Sequence, residues 1–138
     1  MAGYLLDTCA ALWSTRPSTF LAPQAREALN KASDEGLGVF VSPITAWEVG
    51  QLVARGRYAL DRHPLHWFDA LLEAGVQSTA LGADVLVAAS FLPVSETLRD
   101  PADRILAATA RALSLTLVTR DRPLLDYGRA GHIRVLAC

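Results

Sequence analysis

The chain reads as an α/β protein with a mainly parallel central sheet flanked by helices on both faces, and three observations predict it. Short apolar runs, Tyr4–Leu6, Val39–Val41 and Thr116–Val118, alternate with longer segments of helical periodicity, as strands joined by crossover helices do. Asp7 and Asp121 stand just past two of these runs, where an open parallel sheet aims its ligand crevice. A length of 138 residues at 51% hydrophobic content suits one domain, residues 1–138, with a filled core.

Tyr4 to Leu6 is a buried strand, after which Asp7 caps a helix over Thr8 to Trp13. A turn follows at Pro17. Thr19 to Ser33 places Phe20, Leu21, Ala25, Ala28, Leu29 and Ala32 at spacings of three and four, an amphipathic helix that Gly36 and Gly38 end. Val39 to Val41 is the next strand, and Ser42 with Pro43 opens a helix carrying Trp47, Glu48, Gln51 and Leu52 to near Gly56. Pro64 starts a helix through Glu73, Val76 to Leu81 reads as a strand, and Gly82 to Phe91 returns to helical spacing. Asp100 caps a helix whose first residue is Pro101 and which runs to Ala112 or Leu113. Thr116 to Val118 is a strand, Arg122 to Tyr127 a short helical turn, and Ile133 to Leu136 the final strand. The sequence contains no internal repeat, low-complexity tract or linker.

With 13 basic against 14 acidic residues the chain has no general basic field to attract nucleic acid, so any such contact rests on local arginines. Lys31 is the sole lysine. Cys9 and Cys138 do not form a disulfide framework, and the N-terminus lacks the pattern of a secretory leader, which points to the cytoplasm. The longest apolar stretch, Leu81 to Val94, contains Asp84 and falls short of the ~20 residues that cross a bilayer, so no membrane span is expected.

Asp7, Glu48, Asp103 and Asp121 are the candidate site residues. Asp103 borders a buried stripe, since Leu106, Ala107 and Ala110 follow at three, four and seven residues; a carboxylate there must be paired, metal-bound or beside a cleft. Glu48 lies in an otherwise apolar turn and needs partners too. Four carboxylates converging on one site repel unless protons or a cation hold them, which a divalent metal would do. Each acid also has a purely structural reading. Asp7 and Asp121 can cap helices, Asp103 can serve the dipole of the helix that Asp100 caps, and Glu48 can pair with Arg55. His63 and His66 read as a surface turn around Pro64, and His132 is isolated. Trp13, Trp47 and Trp67 read as core anchors rather than base-stacking platforms, and Cys9 as a small buried side chain.

Four ordered blocks carry a family resemblance: Tyr4-Leu-Leu-Asp-Thr8, Val41-Ser-Pro-Ile-Thr-Ala-Trp-Glu48, Arg99-Asp-Pro-Ala-Asp-Arg-Ile-Leu-Ala-Ala-Thr-Ala110 and Thr116-Leu-Val-Thr-Arg-Asp121. Over nearly its whole length the chain resembles the PIN-domain ribonucleases, especially the VapC-type toxins of bacterial toxin–antitoxin systems. The resemblance implies a single PIN-like domain, an acidic metal site of Asp7, Glu48, Asp103 and Asp121, and supporting polar residues Thr8, Asp100 and Thr119. It further implies Mg²⁺ or Mn²⁺ as cofactor, an RNA substrate cut at phosphodiester bonds, a VapB-type antitoxin and toxin homodimerisation. The stretch Arg55-Gly-Arg-Tyr-Ala-Leu60 matches the connection after the second helix of the family. Two positions depart: Gln51 stands where many similar toxins carry lysine, and Pro43 replaces a more usual small residue.

Arg16, Arg120 and Arg122 lie near the acidic blocks and are candidates for phosphate contact, with plain solvation as the competing reading. Two other functions are compatible with these residues. A phospho-accepting signalling module also gathers acids at strand ends but wants a lysine near the late strand, and Lys31 lies early. The other is a catalytically inactive PIN-like module that binds RNA. An aspartate-nucleophile phosphatase is disfavoured because Asp7-Thr8-Cys9 lacks a second aspartate two residues on.

Overall fold

The computed structural model describes residues 3–16 and 21–138. Five parallel strands, β1 (Tyr4–Leu6), β2 (Val39–Val41), β3 (Gln77–Ser78), β4 (Thr116–Thr119) and β5 (Arg134–Ala137), form one sheet in the order β3-β2-β1-β4-β5. The described helices are α1 (Thr8–Ser14), α2 (Pro23–Asp34), α3 (Pro43–Ala54), α4 (Pro64–Glu73), α5 (Ala83–Ser90), α6 (Pro101–Leu113) and α7 (Arg122–Arg129). No helix among the described residues is long and apolar enough to cross a membrane.

The two-residue period of the strands divides the core into two layers. Leu5 of β1 and Leu117 of β4 face α5, α6 and α7, where they meet Val85, Leu106 and Leu124. Leu6, Val41 and Val118 face the other way, onto Ala10 of α1, Ala25 of α2, Val49 of α3 and Trp67 of α4. Both faces of the sheet are therefore covered, as the near-continuous apolar strands predict. At the start of β1 the chains approach closely: a Cβ on Gly3 would lie 1.9 Å from the carbonyl oxygen of Gly38, so only glycine fits there.

The element order agrees with the sequence expectation, while several boundaries move. The helix expected from Thr19 begins at Pro23, because proline is tolerated in the first turn and not deeper; Ala22 precedes it without a side-chain cap. The expected turn at Pro17, together with Thr19 and Phe20, lies outside the described residues. The strand expected over Val76 to Leu81 shrinks to Gln77–Ser78, since it is an edge strand paired only to the end of β2. Arg122 to Tyr127 is not an isolated turn but the body of α7, which Asp121 caps and whose Leu124 and Tyr127 are buried.

Candidate active site

The strand order places the reversal of direction between β1 and β4: from β1 the chain proceeds to β2 on one side, and β4 joins on the other. A crevice at the carboxyl ends of strands opens at such a switch point. Here a cavity of about 450 Å³ is lined by Asp7, Thr8, Glu48, Asp100, Asp103 and Asp121, among others. Of three larger hollows, those of about 690 and 810 Å³ have no carboxylate in their linings and that of about 650 Å³ has only Asp61. The structure thus gathers the four predicted acids and two of their three predicted supports into one cleft; Thr119, the third, lies beneath it.

Asp7 is buried at the N-cap of α1. Its Oδ1 accepts from the amide of Ala10 at 2.7 Å and its Oδ2 from the hydroxyl of Thr119 at 2.6 Å. The Thr119 oxygen in turn accepts from the amide of Asp121 at 3.0 Å, and Asp121 caps α7 by accepting from Leu124 at 3.3 Å. One hydroxyl, fully buried at the end of β4, therefore couples Asp7 to the backbone of Asp121. Glu48 reaches the same cleft from α3. Thr8 donates a short hydrogen bond to its Oε1, and the Thr8 oxygen lies 3.3 Å from that of buried Thr45. With the Thr8 proton given to Glu48, Thr45 is the donor in that second contact. The expected alternative for Glu48, an ion pair to Arg55, is absent among the described residues. Two helical turns separate them, and Arg55 is already the C-cap of α3.

Asp100 caps α6, accepting from Ala102 at 3.0 Å, and Asp103 sits in the first turn of that helix. Asp103 has no hydrogen-bond partner among the described residues, and its surroundings oppose ionisation. Burial first, then the charges of Asp100, Asp121, Glu48 and Asp7, push its carboxyl up to about 8. Asp7 and Glu48 are also raised, chiefly by burial. The Thr119 and Ala10 bonds on Asp7, and the Thr8 bond on Glu48, work against that rise. The structural readings of Asp7, Asp100 and Asp121 as caps hold together with the site reading: capping fixes each carboxylate where strand end and helix start meet.

The five carboxylates of the lining are oxygen donors of the kind that hard divalent cations take, and the like-charge repulsion that adds to burial in raising Asp103 is what a cation would relieve. In donor chemistry the residues fit Mg²⁺ or Mn²⁺. As they lie, no three His, Cys, Asp or Glu side chains among the described residues are close enough to enclose an ion. Asp7 and Glu48 are instead turned onto Thr119 and Thr8.

Several other expectations change. Trp47, expected in the core, is 58% exposed and lines the cleft, whereas Trp67 is buried and Trp13 half-buried. Cys9, expected to be buried, is exposed at the cleft; partial enclosure, with Asp7 and Glu48 nearby, pushes its thiol up to about 11, so it is no thiolate nucleophile at neutral pH. Of the arginines proposed for phosphate, Arg120 lies with Cζ 3.9 Å from the Trp13 ring centroid and donates to the Cys138 carbonyl at 3.1 Å, and Arg16 donates to the Tyr58 hydroxyl at 2.9 Å. Neither lines the cleft, nor does Arg122. Arg55 and Arg57 do. The sequence names Arg55 as a possible ion-pair partner of Glu48 and both arginines within the family-like stretch; the helix end they flank, at Gly56 with φ of 69°, is the available local signal. His63 caps α4 through Nδ1, 3.2 Å from the Leu65 amide, and Lys31 pairs with Glu35 on α2 away from the cleft.

A doubly covered parallel sheet with acids from β1, α3, α6 and the end of β4 at its switch point defines the class, and the PIN domain family profile matches residues 4–130. The chain belongs to the PIN domain family. It is 32% identical over 127 residues to ribonuclease VapC22 of Mycobacterium tuberculosis, covering 92% of this chain and 93% of that protein. Its fold is similar to a VapBC2 structure from Rickettsia felis bound to promoter DNA, with a TM-score of 0.71 at 15% identity over 99% of this chain and 98% of that one. A DNA-bound VapBC structure from Salmonella typhimurium aligns with a TM-score of 0.65 at 17% identity, again over 99% of this chain and 98% of the other.

Proposed function

We propose that this chain, as a single nuclease domain spanning residues 1–138, is a Mg²⁺- or Mn²⁺-dependent endoribonuclease and the toxin of a toxin–antitoxin pair. The observation that carries the reading is the convergence of Asp7, Glu48, Asp103 and Asp121 on one cleft, in a chain 32% identical to a VapC ribonuclease. Those four carboxylates would hold the ion, which when bound supplies a water of lowered pKa and offsets charge on the phosphate.

The remaining chemistry belongs to the chain. Thr119 fixes one oxygen of Asp7 and the Ala10 amide the other, so that carboxylate enters the reaction already oriented. Thr8 does the same for Glu48, with Thr45 completing the relay of hydroxyls. Asp103, with its carboxyl pushed to about 8, holds a proton at neutral pH until positive charge enters the cleft. Arg55 and Arg57 at the cleft supply cationic contacts for an RNA backbone that the acids alone would repel.

A VapB-type antitoxin, homodimerisation and a cytoplasmic location complete the proposal; the similarity to VapBC structures and to VapC22 supports the first, and the other two rest on the family resemblance. The deciding experiment incubates purified, antitoxin-free protein with total RNA and Mg²⁺ or Mn²⁺, beside EDTA and Asp7→Asn controls, and maps new RNA ends. Discrete cuts lost in both controls are expected; cuts that persist in EDTA would sink the metal assignment, and cuts that persist in Asp7→Asn the site assignment.

A further inference from the structure

Trp47 and Gln51 of α3 and Arg55, its C-cap, are spaced four residues apart, so they continue one ridge to the end of the helix, and all three line the acidic cleft. Trp47 is the anomaly on that ridge. Trp67 is buried with its indole N–H donated to Thr15, and Trp13 carries the Arg120 guanidinium on its face, but Trp47 is 58% exposed and no ring or guanidinium among the described residues stacks on it. Trp47 and Glu48, one of the proposed metal ligands, line the same cavity. Arg55 and Arg57 are exposed and form no ion pair among the described residues, although they share the cavity with five acids. A flat apolar ring, an amide with both donor and acceptor, and open guanidinium groups are the parts from which a nucleotide subsite is made.

We infer that this ridge of α3 reads a nucleotide next to the scissile phosphate: Trp47 stacks on its base, Gln51 hydrogen-bonds the base edge, and Arg55 meets a neighbouring phosphate. The inference rests on the reading of the cleft as a ribonuclease site. It makes Trp47 and Gln51 specificity-determining residues. Stacking is tolerant of base identity, so Trp47 supplies affinity while the amide of Gln51 discriminates. A protein partner covering Trp47 is the competing occupant, and the open guanidinium groups beside it favour RNA.

The test uses an oligoribonucleotide spanning a cut mapped in total RNA, and versions in which each base flanking the cut is removed in turn. Trp47→Ala should raise KM about 5- to 150-fold, the range of one lost base–aromatic stack, with kcat little changed; Trp47→Phe should restore most of the loss. On the RNA lacking the stacked base, wild type and Trp47→Ala should have the same KM. Gln51→Leu should alter which base is preferred at that position. An unchanged KM in Trp47→Ala overturns the inference, as does a KM rise that persists undiminished on every abasic RNA. So does a fall in oligomeric mass on sedimentation that Trp47→Phe does not reverse, which would assign the ring to a protein contact. These failures leave cutting by wild type and its loss in Asp7→Asn intact. Failure of the ribonuclease reading shows instead as no wild-type cut at all, and removes the inference with it.

Discussion

The two sides of the cleft are built differently. On one side Asp7 and Glu48 are held by hydroxyls, Thr119 and Thr8, that are themselves anchored to the backbone of Asp121 and to Thr45. On the other, Asp103 has no partner among the described residues and faces Asp100 at the start of the same helix. The bonded side is preorganised, because its carboxylates have satisfied geometry whatever else enters the cleft. The Asp103 side is electrostatically frustrated: burial and like charge make its ionised form unfavourable until a cation arrives. The hydrogen bonds of the bonded side therefore contribute to stability whatever its role, whereas the burial and like charge around ionised Asp103 oppose stability and leave it only the proposed site role.

The largest expected effect makes that contrast visible. Asp7→Asn and Asp103→Asn should each reduce RNA cleavage by more than about 100-fold, beyond what outer partners of a metal site usually contribute. Their stabilities should separate, with metal-free Asp103→Asn at least as stable as wild type at pH 8 because it loses an unfavourable charge. Asp7→Asn keeps a capping side chain yet disturbs the Thr119 bond and should not gain in the same way. Thermal melts of the two variants decide, and equal shifts would erase the distinction between the sides. Next in size, Thr119→Val should reduce cleavage about 10- to 100-fold and stability by about 1–3 kcal/mol, since it strips a buried carboxylate of one partner and the Asp121 amide of its acceptor. A variant of full activity would show that Asp7 needs no positioning.

How much of this was legible before the structure follows the same division. The strand-end acids and the Asp100-Pro101 start of α6 are local signals, carried by adjacent residues, and the structure has Asp7, Asp100 and Asp121 at the helix N-caps they indicate, with Asp103 in the first turn of α6. The hydroxyl contacts join residues 37, 40 and 112 apart in sequence, and no periodicity encodes such pairs. Family resemblance supplied Thr8 and Thr119 as supporting positions, but Thr45 escaped notice. Trp47 was misplaced for a different reason. The segment Pro43–Ala54 is apolar on several faces, so spacing alone cannot say which face meets the core, and a large ring defaults to burial. β3 shrank because its length depends on a neighbour's end, not on its own composition.

A pH titration sharpens the comparison in the metal-free protein. Asp103 has a folded value of about 8 against an ordinary 3.8, so between these limits the folded state binds more protons than the unfolded one. Its contribution to stability is fully present below about 4 and is lost as pH rises through about 8. Asp7 and Glu48 are raised as well and act in the same direction. The melting temperature without divalent metal should fall from pH 5 to pH 8.5, Asp103→Asn should flatten the slope, and added Mg²⁺ should recover stability most at the high end. A melting temperature that rises steadily across this window would contradict the assignment of frustration to the cleft.

The smallest effect tests whether Asp100 belongs to the support or to the site itself. It caps α6 through the Ala102 amide, and after burial it is the foremost cause of the raised Asp103 carboxyl. Asparagine caps a helix about as well as aspartate, whereas alanine does not, so the two substitutions separate the roles. Asp100→Asn should leave stability near wild type at low pH, lower the Asp103 carboxyl and move the loss of stability to lower pH, with cleavage reduced less than about 10-fold. Asp100→Ala should add the loss of the cap, about 1 kcal/mol, at every pH. If Asp100→Asn instead abolishes cleavage as completely as Asp103→Asn, Asp100 is a ligand in its own right. The frustrated side would then be a paired-carboxylate site, with two acids of one helix turn sharing the ion.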